Sequence, residues 1–160
     1  MHVAQLNIAR MVDGLSSPRL ADFVTELGPV NRRAESAEGF VWRLVSSDGR
    51  PAAFEHRWDG DPLVLVNLSV WTSPRALVDF VIEDPGHASV LRRRRRWFQP
   101  AVEPMTVLWW IPDGHRPTLD EAAERLAHLR QFGPTAYAFR FRLPVPDPDP
   151  AQRSWWSSSA

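Results

Sequence analysis

The chain contains no cysteine and no lysine. Without cysteine there is no disulfide framework, thiolate nucleophile, iron–sulfur cluster or cysteine-bound zinc. Without lysine there is no Schiff-base chemistry, and all 19 positions counted as Lys+Arg are arginine. An excess of one charge is also missing. The 19 basic and 19 acidic residues leave a formal net charge of +0, so no global field draws in DNA, RNA or anionic lipid. No run of about 18 apolar residues marks a membrane span. The first residues, Met1 to Ile8, enter a strand pattern directly, with no basic n-region and apolar h-region. A cytoplasmic protein with no nucleic-acid or membrane partner is expected. There is no Gly-x-Gly-x-x-Gly, Walker loop or Gly-x-Ser-x-Gly elbow. His2, His56 and His128 have no partner at metal-ligand spacing, and Asp59-Gly60-Asp61 is too short for a calcium loop. No metal site is expected.

What is present points to a packed domain. The 160 residues are 44% apolar and include eight tryptophans, enough to bury a sizeable core in one domain. Val3 to Arg10 alternates in polarity as a half-buried strand does. Ser16-Ser17-Pro18 offers a cap and a first-turn proline for a helix over 18–37, with Pro29 expected to break or kink it near Gly28. Strands are predicted over 40–45, 63–71, 105–111 and 137–143. Further helices are predicted over 73–83, over 118–131 behind the capping box Thr118-x-x-Glu121, and through the run Arg92 to Arg96. The order is β-α-β-β-α-α-β-α-β, an α+β protein with one central sheet and its helices on one face. Residues 1–143 form the domain. Residues 144–160, rich in proline and serine, read as an extended tail in which Trp155 and Trp156 either dock or stay free.

Five consecutive arginines suggest a nucleic-acid patch until helical geometry separates them. At about 100° per residue, His87, Val90, Leu91, Arg94 and Phe98 share one face. Arg92, Arg93 and Arg96 point away, and Arg95 sits at the flank. A helix that aims a histidine and an arginine at its packing surface is the strongest local sign of a site.

His87 has three readings. It is a general base, with Arg94 one helical repeat away to stabilise negative charge. It is an axial haem ligand. Or it caps its own helix and does no chemistry. The helix macrodipole disfavours a cation at its position, so a neutral imidazole is expected. Gln5 and Asn7 share one face of the first strand, and Asn67, Ser69 and Trp71 share one face of the third. These side chains either give directed hydrogen bonds to a small ligand or satisfy edge and loop backbone groups. Trp42, Trp71, Trp109 and Trp110 lie on strands, with Trp109 and Trp110 on opposite faces. They supply an aromatic wall for a flat ligand or a subunit interface. His115, in a loop before a helix, is a candidate contact or a support for its turn.

Several blocks in order give the chain a family resemblance. They are Ala4-Gln5-Leu6-Asn7-Ile8-Ala9-Arg10, Gly39-Phe40-Val41-Trp42-Arg43-Leu44, Val66-Asn67-Leu68-Ser69-Val70-Trp71, His87 with Arg92 to Phe98, Leu108-Trp109-Trp110, and Gly114-His115-Arg116-Pro117-Thr118. Over about residues 3–142 the chain resembles the bacterial family catalogued as domain of unknown function 3291. That family is placed beside the antibiotic-biosynthesis monooxygenases in the dimeric α/β-barrel superfamily. The resemblance implies a ferredoxin-like βαββαβ fold and a homodimer in which a partner covers the open sheet face. It does not imply a reaction; the leading expectation is a small-molecule enzyme of secondary metabolism acting on a flat, mostly apolar substrate. Cofactor-independent oxygenation, cyclisation or isomerisation is the expected chemistry. Haem binding through His87 and a non-catalytic dimeric module are the alternatives. Under the first reading, His87 is the base, Arg94 the anion stabiliser, and Asn7, Asn67 and Trp71 position the substrate. Gln5, Trp42, Ser69, Trp110 and His115 complete the candidate binding set.

Overall fold

Strand alternation builds a four-stranded antiparallel sheet from β1 (His2–Arg10), β2 (Phe40–Arg43), β3 (Val64–Trp71) and β4 (Thr106–Ile111). The structure, a computed structural model, describes residues 1–141. The sheet order is β2-β3-β1-β4. Parallel strands β1 and β2 flank β3, and β3 and β4 flank β1, which makes two split β-α-β crossovers, the ferredoxin-like arrangement. The helices are α1 (Ala21–Ser36), α2 (Pro74–Glu83), α3 (Pro85–Arg93) and α4 (Leu119–Phe132).

Local chemistry sets the helix starts. The Ser73 hydroxyl accepts the Ala76 N–H at 3.1 Å, the Asp84 carboxylate accepts the His87 N–H at 2.7 Å, and the Thr118 hydroxyl accepts the Glu121 N–H at 3.1 Å. The predicted break at Pro29 does not occur: α1 runs through it to Ser36. The proline leaves only the Thr25 carbonyl without its helical partner. Burial of Phe23 on one side of it and Ala34 on the other holds the helix on the sheet.

The two faces of the sheet are covered differently. Ala4, Leu6, Ile8, Val66, Leu68, Val70, Val107, Trp109 and Ile111 form one face, and Ala122, Leu126 and Leu129 of α4 pack on it. Val3, Trp71, Leu108 and Trp110 belong to the other, which carries Ala34 of α1 and Leu77 of α2. Helices α1–α3 therefore share a face as expected, whereas α4 takes the opposite one. Leu6, Leu68, Val107 and Trp109 are 0% exposed within a single chain. The expectation that a second copy must cover a bare sheet face thus loses its physical ground.

Of the strand predicted over 137–143, the described part, up to residue 141, forms one bridge. Leu108 and Phe139 exchange N–H···O bonds of 2.9 and 2.8 Å. Just before it, the Thr135 N–H donates to the Ala138 carbonyl at 2.8 Å, and the Thr135 hydroxyl accepts from the N–H of Tyr137 and of Ala138. Those groups are committed to a turn and cannot join a ladder. The tail predicted over 144–160, with Trp155 and Trp156, lies outside the described residues. Among the described residues no helix is long and apolar enough to cross a membrane.

Candidate functional site

Antiparallel register brings the polar strand residues together. Gln5 pairs with Ser69, Asn7 with Asn67 and Val3 with Trp71, so all their side chains lie on the face beneath α1–α3. There the helices stand off the sheet and leave a cavity of about 870 Å³. Its floor includes Gln5, Asn7, Asn67, Ser69 and Trp71. Its walls include Phe23, Leu27 and Val30 of α1, and His87, Val90 and Leu91 of α3, with Arg94 and Arg95 just beyond that helix. This is the form of a small-molecule site, an apolar enclosure with a few convergent polar groups. It is built within one chain, beneath the helices.

His87 is held by the α2–α3 junction. Its ring Nδ1 lies 2.9 Å from the Val81 carbonyl. A carbonyl only accepts, so Nδ1 carries the proton and the neutral ring keeps its lone pair on Nε2. Nε2 has no hydrogen-bond partner among the described residues. Burial pushes the imidazole below its ordinary pKa and Arg33 adds to this, against the Val81 carbonyl and the Asp84 carboxylate, which favour the cation. The helix cap is Asp84 rather than His87 itself. Burial would raise the Asp84 carboxyl, but the His87 N–H and the Arg33 guanidinium, 3.1 Å away, hold it below its usual value. The ring of Phe80 joins this corner to the sheet, stacking on Trp71 at 5.4 Å and meeting His87 at 5.2 Å.

The arginine run divides otherwise than a single helical wheel predicts. The α-helix ends at Arg93, and Arg94–Arg96 form a tighter 3-10 turn, which changes the angular step per residue. Arg93, expected to point away, pairs with Glu26 of α1 at 2.9 Å and covers the Trp97 ring at 5.0 Å. Arg94 lines the cavity as predicted, and Arg95 joins it; neither has an ion-pair partner among the described residues.

Three predicted contacts lie elsewhere. A β-bulge at Val41 puts Phe40 opposite Trp71 and Trp42 opposite Val70, which turns Trp42 to the α4 face. Trp110 is on the cavity's face of the sheet, but it packs on Phe139, 5.9 Å away, outside the cavity. The His115 ring Nε2 lies 2.7 Å from the Glu121 carboxylate in the first turn of α4. Glu121 also accepts the Trp109 indole N–H at 2.7 Å, so its side chain serves these two rather than closing the capping box. Thr106 was not among the predicted residues, although its hydroxyl donates to the Asn7 carbonyl oxygen at 2.8 Å. Only the pairing of β4 with β1, Asn7 opposite Thr106, would have revealed it.

Sheet order, crossovers and a one-chain cavity define a ferredoxin-like α+β protein with a cavity between its sheet and helices α1–α3. The chain belongs to the family described as domain of unknown function (DUF3291), whose model matches residues 2–155. No curated protein matches it. Among solved structures it is similar to a conserved protein from Methanosarcina mazei Go1, with 11% identity and TM-score 0.51 over 70% of this chain and 94% of that one. That likeness is one of fold. SnoaB, a cofactor-independent oxygenase from Streptomyces nogalater, aligns at 18% identity and TM-score 0.48 over 74% of this chain and 96% of that one.

Proposed function

We propose that the cavity is the active site of a cofactor-independent enzyme that deprotonates a flat, mostly apolar substrate, with oxygenation as the following step. The observation that supports this most is the fixed tautomer of His87, an imidazole held neutral with its Nε2 lone pair free in the wall of an apolar cavity. Such a nitrogen is a general base near neutral pH. Arg94, without an acidic partner among the described residues, stabilises the anion that forms. Asn7, Asn67 and the Trp71 ring position the substrate. A ketone with a doubly activated C–H gives a delocalised carbanion that reacts with dioxygen directly. Anthrone loses its central C–H proton to the base, takes up O2 and releases water to give anthraquinone, so atoms and electrons balance without another oxidant. The family resemblance adds a homodimer to the proposal, and the sequence expectation adds a cytoplasmic location. A sedimentation mass of one chain at micromolar concentration would remove the dimer without touching the cavity.

Oxygen uptake and quinone absorbance with anthrone test the chemistry. His87→Ala is expected to lower the enzymatic rate by about 10²–10⁴-fold with an unchanged far-ultraviolet spectrum. Wild-type protein no faster than buffer would sink the oxygenase reading. A Soret band on adding hemin that vanishes in His87→Ala would replace it with haem ligation, because the same lone pair is an axial donor.

A further inference from the structure

Gln5 and Ser69 line the cavity but take no part in the proton transfer just described. With Trp71 they form a hydrogen-bond chain of fixed direction. Trp71 Nε1 lies 3.0 Å from Ser69 Oγ, which lies 3.0 Å from Gln5 Oε1. An indole N–H only donates, so the Ser69 oxygen accepts from Trp71; the hydroxyl proton then has Gln5 Oε1 as its one acceptor among the described residues and donates there. The Gln5 atom facing Ser69 is therefore the carbonyl oxygen. The chemistry of the chain decides which way round the amide sits, something an isolated glutamine leaves open.

What remains of Gln5 is its NH2 group, two donors with no hydrogen-bond partner among the described residues. The side chains of the chain are buried: Gln5 is 7%, Ser69 6% and Trp71 2% exposed. Trp71 is clamped between Phe40, edge-on at 5.4 Å, and Phe80, stacked at 5.4 Å, so the chain has a rigid anchor. Asn7 has a hydroxyl partner too, Thr106 at 2.8 Å, but one whose direction no donor-only group fixes. Residues 5 and 7 face the same way on one strand, roughly 7 Å apart. At Gln5 the floor thus offers donors and no acceptor.

We infer that Gln5, oriented by Ser69 and Trp71, reads an acceptor oxygen on the ligand, so that the substrate class is a planar ketone, quinone or phenolate rather than a hydrocarbon or an amine. This rests on the reading of the cavity as a small-molecule site and deepens it. A carbonyl that becomes an enolate on losing a proton to His87 gains charge on that oxygen, and N–H donors bind the charged form more strongly. Ser69 and Trp71 are positioning residues, because they act only through Gln5.

The test is equilibrium dialysis of full-length protein with three tricyclic carboxylates that share one acidic group. Beyond that shared carboxylate, anthraquinone-2-carboxylate adds two ring carbonyl acceptors, anthracene-2-carboxylate adds no acceptor, and the 9-amino derivative of the latter adds a donor. Wild type is expected to prefer the quinone by about ten-fold over each of the others, the effect of one good hydrogen bond. Gln5→Met, close in shape, brings the quinone and the hydrocarbon to within about three-fold. Ser69→Ala frees the amide to turn, so the amine gains relative to the quinone, a shift that a merely structural role would not produce. Equal binding of all three by wild type overturns the inference and leaves the cavity reading intact, with no variant needed. No binding of any of them overturns both.

Discussion

The two faces of one sheet use the same strands in opposite ways. Under α4 the inward side chains are apolar from Ala4 to Ile111, and the buried indole N–H of Trp109 is satisfied by Glu121. Under α1–α3 the alternate residues of those strands bring in Gln5, Asn7, Asn67 and Ser69, and a cavity of about 870 Å³ stays open above them. An apolar face closes because every added contact gains dispersion and sheds water. A face bearing amides gains nothing by collapsing onto Leu27 or Val30, which cannot hydrogen-bond to them. Period-two alternation thus lets one set of strands build a dry core and a polar-floored site back to back.

Substitutions on the closed face sharpen that contrast most. Leu68→Ala empties a fully buried position and is expected to cost about 2–5 kcal/mol in urea unfolding. A cost as small as that of a surface change would mean the α4 face is not a packed core. Next, Glu121→Ala strands the Trp109 N–H in that core at about 1–3 kcal/mol. It also removes the partner of His115, and Glu121→Gln should recover part of the loss.

On the cavity face the informative variable is pH. Burial holds the folded-state pKa of His87 below its ordinary value, so as pH falls the unfolded chain takes up a proton first. Stability from this group is full above the unfolded pKa, near 6.5. It declines as pH falls from there toward the folded value and then levels off. Urea titrations of wild type against His87→Phe should show that slope in wild type only. The activity limb that reports the base should likewise lie below pH 6.5. An unchanged slope in the variant would mean the ring is solvated. Smallest of all is Asn67→Ala, an exposed position on the cavity floor, expected within about 0.5 kcal/mol of wild type in stability. If it unfolds the protein, the two faces do not differ as described.

Much of this contrast was legible along the chain. Strand alternation in 3–10 and 63–71, the serine cap at Ser73 and the threonine cap at Thr118 are local signals, and each element formed where its signal stood. Which residues share a face within each element was legible for Gln5 with Asn7, for Asn67 with Ser69 and Trp71, and for His87 with Arg94; sheet register and helix packing brought the three sets around one space. The misplacements came from local breaks in period. A single bulge residue, Val41, sent Trp42 to the other side, and the tightening at Arg94 altered which arginines packed. Turn bonds between Thr135 and Ala138 took the place of the last strand's start.

The sequence by itself determined the element order, the two chemically distinct strand faces and the absence of thiol and lysine chemistry, because periodicity and composition are properties of neighbouring residues. Only the tertiary structure decided that α4 crosses to the apolar face and removes the need for a partner there. It alone set the His87 tautomer through Val81 and the orientation of Gln5 through Ser69. Those outcomes depend on pairings between residues as far apart as Gln5 and Ser69, and such contacts are fixed by sheet register and helix packing, which no local pattern specifies.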